Sequence, residues 1–251
     1  VSIQAGQAKT TVITGATDGI GRELSNHYGS VGDRLVLLGR RPLGELDATR
    51  FNVSNYLKID LSRADIADSV SGGLNTLGIE TVDRLILNAG TGYYGRTQHQ
   101  TADEVRRVVS VNLRANLALI HACWPYLKSA RGQVVLIGSV IAYLPCPDYA
   151  VYGATKAAID GLARSLRYEL APDVRVQVIH PGATRTGLHE KIGVDETRVD
   201  WQRFPSAEQV AIRIAKRIGR GPWRSVPGLV NWIVWTLGRR VPYLIDRMAR
   251  R

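Results

Sequence analysis

Six short runs rich in β-branched residues or leucine, at 11–14, 35–38, 57–59, 84–87, 134–137 and 174–179, are mostly separated by segments of helix length. Within those segments apolar residues recur at three- and four-residue spacing, as at Leu113, Leu117, Ile120 and Trp124, the period of a helix with one buried face. Strands that alternate with helices along a chain pair in parallel, through right-handed helical crossovers. A single α/β domain is therefore expected, built on a doubly wound, mostly parallel sheet, with ligand at the carboxyl ends of the strands where the strand order reverses. The chain has 251 residues, 45% of them hydrophobic, enough for a sizeable core, and no repeat or Pro/Ser-rich linker divides it.

Directly after the first run comes Thr14-Gly15-Ala16-Thr17-Asp18-Gly19-Ile20-Gly21, followed by a helical segment, Arg22 to Tyr28. In that position Gly15 permits a tight turn and Gly19 lets backbone N–H groups approach a pyrophosphate at the helix N-terminus. Gly21 lets the helix pack on the strand. Roughly twenty residues on, where a NAD site places an acid on the ribose hydroxyls, the chain reads Gly39-Arg40-Arg41. A guanidinium there pairs with a 2′-phosphate, so NADP(H) is expected ahead of NAD. Asp60, closing the third run beside Leu61, is read either as an adenine contact or as the N-cap of a helix over 62–74.

Tyr152 and Lys156 stand four residues apart, so on a helix the phenol and the ammonium share a face. A nearby cation favours phenolate and lowers a tyrosine pKa, which makes Tyr152 a candidate proton donor and acceptor. Gly138-Ser139 ends the fifth run and places a hydroxyl at the same edge of the sheet. Asn88-Ala89-Gly90 ends the fourth, Asn112 falls inside a helix expected over 101–127, and Pro181-Gly182-Ala183-Thr184-Arg185-Thr186 follows the sixth. Asn88 serves equally well as a tie between neighbouring strands.

With these motifs in this order, the chain from about Lys9 to Gly219 resembles the short-chain dehydrogenases/reductases. The resemblance implies a Rossmann fold with a seven-stranded sheet and reversible hydride transfer between NADP(H) and a carbonyl or secondary alcohol. It implies Tyr152 as general acid/base, Lys156 on the nicotinamide ribose and lowering the tyrosine pKa, Ser139 orienting the substrate oxygen and Asn112 anchoring a proton-relay water. Cofactor contacts are expected from Gly15, Thr17, Asp18, Gly19, Ile20, Gly21, Arg40, Arg41, Asp60, Leu61, Asn88, Ala89, Gly90, Tyr152, Lys156, Pro181, Gly182, Thr184 and Thr186, and a homodimer or homotetramer is implied. Asp18 departs from the pattern, because many NADP-using members carry a basic residue there. A non-catalytic NADP-binding sensor is the competing class.

Substrate identity is written less clearly. Tyr93, Val140, Ile141, Tyr143, Leu144, Tyr149 and Leu188 are expected to wall the substrate site, with 187–204 long enough to act as a lid. An apolar ketone or a 3-oxoacyl thioester fits such walls better than a small polar sugar. Cys123 and Cys146 lie apart from any metal-like cluster, so no metal site is expected, and a reducing cytoplasm is the simpler location. The polar opening stretch carries no sign of a signal peptide, and the longest uncharged stretch, 225–238, is too short for a membrane span.

The net charge of +11 is uneven: residues 198–251 carry twelve Lys or Arg against three acids, and the remainder 21 against 19. Residues 220–251 are thus set off as a basic extension of a 1–219 catalytic domain, with Trp223, Trp232 and Trp235 among its arginines. A helix over 228–237 would be apolar nearly all round, which suits contact with an anionic membrane surface, an acidic carrier or acyl-CoA, or a second subunit. Nucleic acid is disfavoured for want of a reading motif.

Overall fold

The structure is a computed structural model that describes residues 8–195 and 199–249. Seven strands, β1 (Thr10–Thr14), β2 (Arg34–Gly39), β3 (Tyr56–Lys58), β4 (Arg84–Leu87), β5 (Gln133–Ile137), β6 (Arg175–Ile179) and β7 (Arg224–Ser225), form one sheet in the order 3-2-1-4-5-6-7. Every pairing is parallel, with Val12 of β1 set against Val36 on one side and Leu85 on the other. The order reverses between β1 and β4, so the loops leaving these two strands diverge and open a crevice.

Side chains of a strand alternate between faces, and both faces here are buried, hence the nearly continuous apolar runs. Val12, Leu85, Val134 and Leu136 face α2 (Ile66–Thr76), α4 (Ala115–Ala130) and α5 (Ala150–Glu169). Ile13, Ile86, Val135 and Ile179 face the other way, onto α1 (Gly19–Ser30) and α7 (Ala207–Ala215). The remaining helices are α3 (Ala102–Val109), α6 (Leu188–Lys191), α8 (Leu229–Arg240) and α9 (Pro242–Ala249).

Three expectations need correction. The helix expected over 101–127 is α3 and α4 joined by one π turn, Ser110–Arg114, which turns Asn112 into the interior. The buried stripe of α4 runs through Ala115, Leu119, Cys123 and Leu127, and Leu117, expected inside, is 46% exposed. α2 begins at Ile66 rather than Ser62, because Asp60 accepts from the backbone and hydroxyl of Ser62 and closes a separate turn.

Beyond residue 220 the chain adds β7 to the same sheet. β7 pairs with the last two residues of β6, and α8 then packs on the single 3₁₀ turn Val140–Tyr143 that follows β5.

Candidate active site

A cleft of about 830 Å³ opens at the carboxyl edge of the sheet, and the loops after β1, β2, β4, β5 and β6 all reach it. Its floor is the glycine loop. Gly15 has φ +65°, and a Cβ there would meet the Ala89 backbone at 3.0 Å. A Cβ on Gly21 would lie 2.2 Å from the Gly15 carbonyl oxygen, so α1 approaches the loop as closely as it does only because residue 21 has no side chain. Asp18 caps α1 by accepting from the Gly19 N–H at 2.7 Å, and it pairs with Lys191 of α6, tying this loop to the far wall.

Asn88 acts as the strand tie: its amide donates to the Thr14 carbonyl at 3.0 Å, and the Thr14 hydroxyl accepts from Asn88 and Ala89 N–H. Arg40 and Arg41 sit exposed at the end of the cleft beyond β2, where Arg41 donates to the Thr17 carbonyl. This end has unfilled guanidinium donors and a glycine cradle, a donor set that fits a phosphorylated dinucleotide. Leu61 lines it, whereas Asp60 is turned to Ser62 and does not; Arg107 of α3 lines it too and went unnoticed in the sequence.

α5 carries Tyr152, Lys156 and Asp160 on one face. Lys156 is 4% exposed, donates to the Ile137 carbonyl at 2.9 Å and lies 5.6 Å from the Tyr152 ring centroid. Burial pushes its ammonium down to about 8. Tyr152 stays partly exposed at the cleft wall, with Ser139 in hydrogen-bonding reach. Packing around the phenol pushes it up to about 12, outweighing the lowering by Ser139. Lys156, the cation expected to lower this pKa, is turned to the Ile137 carbonyl, and burial of the phenol dominates its shift. The neutral phenol is a proton donor.

Asn112 is held on three sides: its amide donates to the Thr91 carbonyl at 2.9 Å and to the Thr155 hydroxyl at 3.0 Å, and its oxygen accepts from Thr91 N–H at 2.8 Å. It clamps the loop after β4 to α5. Ser139 caps the turn 140–143, its hydroxyl accepting from Ile141 N–H at 3.3 Å.

Beneath Ser139 lies a buried polar group that was not among the residues expected from the sequence. His180, closing β6, is fully buried; its Nδ1 faces the Ser139 backbone and its Nε2 lies 3.0 Å from Asp160 Oδ1. Asp160 also accepts from the Tyr143 hydroxyl at 2.6 Å and from Arg224 of β7 at 2.7 and 2.5 Å. Burial alone would raise the Asp160 carboxyl, but the bonds from His180, Tyr143 and Arg224 hold it down to about 2. Tyr143 is thus a structural donor that faces away from the cleft, and Tyr93 folds over Gly95 instead of lining it.

Val140, Ile141, Leu144, Tyr149 and Leu188 do line the cleft, as do Pro181, Gly182, Thr184 and Thr186 from the loop after β6. Cys146, from the loop after Ser139, and His189, Trp201 and Phe204, from the 187–204 segment, join them. His189 stacks on Trp201 with centroids 4.2 Å apart, and the Tyr149 hydroxyl lies 3.2 Å from its Nδ1; burial lowers the His189 pKa. The segment 187–204 therefore contributes an aromatic wall, with 196–198 outside the described residues.

This combination, a glycine-loop cleft with a Ser/Tyr/Lys constellation at a sheet switch point, is that of an oxidoreductase. The profile of the short chain dehydrogenase family matches residues 9–197, and the chain belongs to that family, whose members act on CH–OH groups. It is 34% identical over 95% of its length to a dehydrogenase/reductase SDR family member 7B from Xenopus laevis, of which it covers 80%. A 26% identity over 95% of this chain and 79% of the other relates it to an 11-beta-hydroxysteroid dehydrogenase-like 3 from Arabidopsis thaliana. Among solved structures, a short-chain dehydrogenase from Sphingobium yanoikuyae in complex with NADPH superposes with a TM-score of 0.78 at 29% identity, over 92% of this chain and 94% of that one.

Proposed function

We propose that the protein is an NADP(H)-dependent reductase that converts an apolar ketone or 3-oxoacyl thioester to a secondary alcohol, reversibly. The observation that carries this reading is the convergence of Ser139, Tyr152 and Lys156 on one cleft whose other end holds the glycine loop and the exposed Arg40 and Arg41. A bound nicotinamide supplies the hydride. The chain's own residues do the rest: Ser139 holds the carbonyl oxygen, and Tyr152 donates the proton that the oxygen takes up as the carbonyl carbon is reduced. Lys156, held by the Ile137 carbonyl at the base of the cleft, is placed to hold ribose hydroxyls. Arg40 and Arg41 favour a 2′-phosphate, and a nearby cofactor-bound relative of known structure carries NADPH.

The walls support an apolar substrate: Val140, Ile141, Leu144 and Leu188 with Tyr149, Trp201 and Phe204 enclose the space beside Tyr152. Loss of NADPH absorbance with aliphatic, steroidal and acyl-thioester ketones tests the proposal. Turnover abolished by Tyr152→Phe supports it. NADPH binding with no turnover on any member of the panel favours a sensor of the same fold.

A further inference from the structure

α8 has two unlike faces. Its inner face packs on the back of the substrate wall: Trp235 lies 5.2 Å from the Tyr143 ring, a Cβ on Gly182 would meet Asn231 at 2.4 Å, and a Cβ on Gly238 would lie 2.1 Å from the Tyr143 carbonyl oxygen. The polar Asn231 and the glycine thus point inward. Its outer face is apolar: Leu229 and Val230 are more than 70% exposed, and Trp232, Ile233 and Leu237 are exposed beside them. Tyr143, Leu144 and Gly182 cover the inner face, and nothing among the described residues covers the outer one. Together with Tyr243 of α9, these residues make up six of the twelve large hydrophobics that stand exposed among the described residues, gathered into one stretch of 15. Soluble surfaces scatter such residues singly, and a gathered patch marks a contact.

The charge around the patch says which contact. Arg240 and Arg247 are exposed at its rim, Arg239 lies over the Tyr143 and Trp235 rings, and Asp246 is the sole acid between 229 and 249. Apolar side chains with interfacial Trp and Tyr, ringed by arginines, match the chemistry of an anionic bilayer surface, where acyl chains take the apolar residues and headgroups take the guanidinium groups. No described helix is long and apolar enough to cross a membrane. We infer that the outer face of α8, with the start of α9, docks the protein on anionic membrane surfaces. Gly238, on the inner face of α8, packs against Leu144, which lines the cleft, so the helix that docks also backs the substrate wall. The reading of that wall rests on the proposed function; the docking itself does not.

The test is flotation of the full chain with phosphatidylcholine vesicles, with and without phosphatidylglycerol, at low and high salt. Binding is expected to the anionic vesicles, weaker at high salt and on neutral lipid. The triple variant Leu229→Ser, Val230→Ser, Ile233→Ser is expected to lose binding while keeping its thermal unfolding and NADPH affinity. Arg240→Glu with Arg247→Glu is expected to weaken binding roughly tenfold or more. Should the triple variant fail to fold, brominated acyl chains read the unaltered chain: Trp232 fluorescence, obtained by difference from Trp232→Phe, is expected to be quenched. Absence of the unaltered chain from the anionic vesicle fraction overturns the inference. So does a triple variant that binds as before, or an oligomer that the triple variant dissociates with no vesicle binding in either form. None of these readouts involves turnover, so the docking fails or stands separately from the enzymatic proposal.

Discussion

His180 and Asp160 form a fully buried pair, Nε2 to Oδ1 at 3.0 Å, directly beneath the backbone of Ser139. The pair joins three elements: the middle of α5 through Asp160, the end of β6 through His180 and the start of β7 through Arg224. Removing the charge leaves the Arg224 guanidinium, whose side chain is 13% exposed, without its partner. Breaking such a buried pair costs about 3 to 5 kcal/mol. Asp160→Asn is therefore expected to lower the urea midpoint strongly, and in whatever folded protein remains to lower kcat more than it raises KM, because Ser139 loses its support.

The same group sets an acid limit. The Asp160 carboxyl is depressed from its ordinary 3.8 to about 2 in the folded chain. Its stabilisation is present above the unfolded value and is lost as pH falls through the folded one, so the window lies between about pH 4 and pH 2. On the order of 2 kcal/mol of stability goes in that window. Urea titrations across it are expected to show the loss in the unaltered chain and a flatter response in Asp160→Asn.

Lys156 sets an alkaline limit on activity. Burial brings its ammonium to about 8, so it loses its proton as pH rises through that value, while Tyr152 at about 12 keeps its own. The kcat/KM for NADPH, which reports the free enzyme, is expected to fall above about pH 8. Lys156→Arg, which does not titrate there, is expected to remove the falling limb at reduced kcat.

In the proposed reaction Arg40 and Arg41 carry the cofactor preference. Replacing both by Ala deletes charge-assisted bonds worth about 1.5 to 3 kcal/mol each. The Kd for NADPH is expected to rise at least roughly tenfold and that for NADH to change little, measured by fluorescence titration of both cofactors.

Most of the sheet was legible because its strands are buried on both faces and read as apolar runs. β7 was not, since two residues, Arg224 and Ser225, carry no period. The Gly15, Gly19 and Gly21 loop and the Tyr152/Lys156 pair were legible because local spacing fixes them. The His180–Asp160–Arg224 group was not, its members being 20 and 64 residues apart. One signal was available: Asp160 follows Tyr152 and Lys156 at four-residue steps, so a carboxylate on the buried stripe of α5 called for a buried partner. Tyr93 and Tyr143 were misplaced because an aromatic in a loop can face the cleft or the packing behind it, and sequence does not separate the two. Trp201, Phe204 and His189 reach the cleft only through the long path of 187–204.

The most direct test of the central claim is transfer of the label from NADPH deuterated at the nicotinamide C4 position, followed by mass spectrometry of the alcohol formed from the ketone panel. Deuterium is expected at the carbinol carbon with the unaltered protein, and a rate about 10² to 10⁴ lower with Tyr152→Phe at an NADPH affinity within a fewfold of the original. Failure to bind either NADPH or NADH, or label transfer undiminished by Tyr152→Phe, would contradict it.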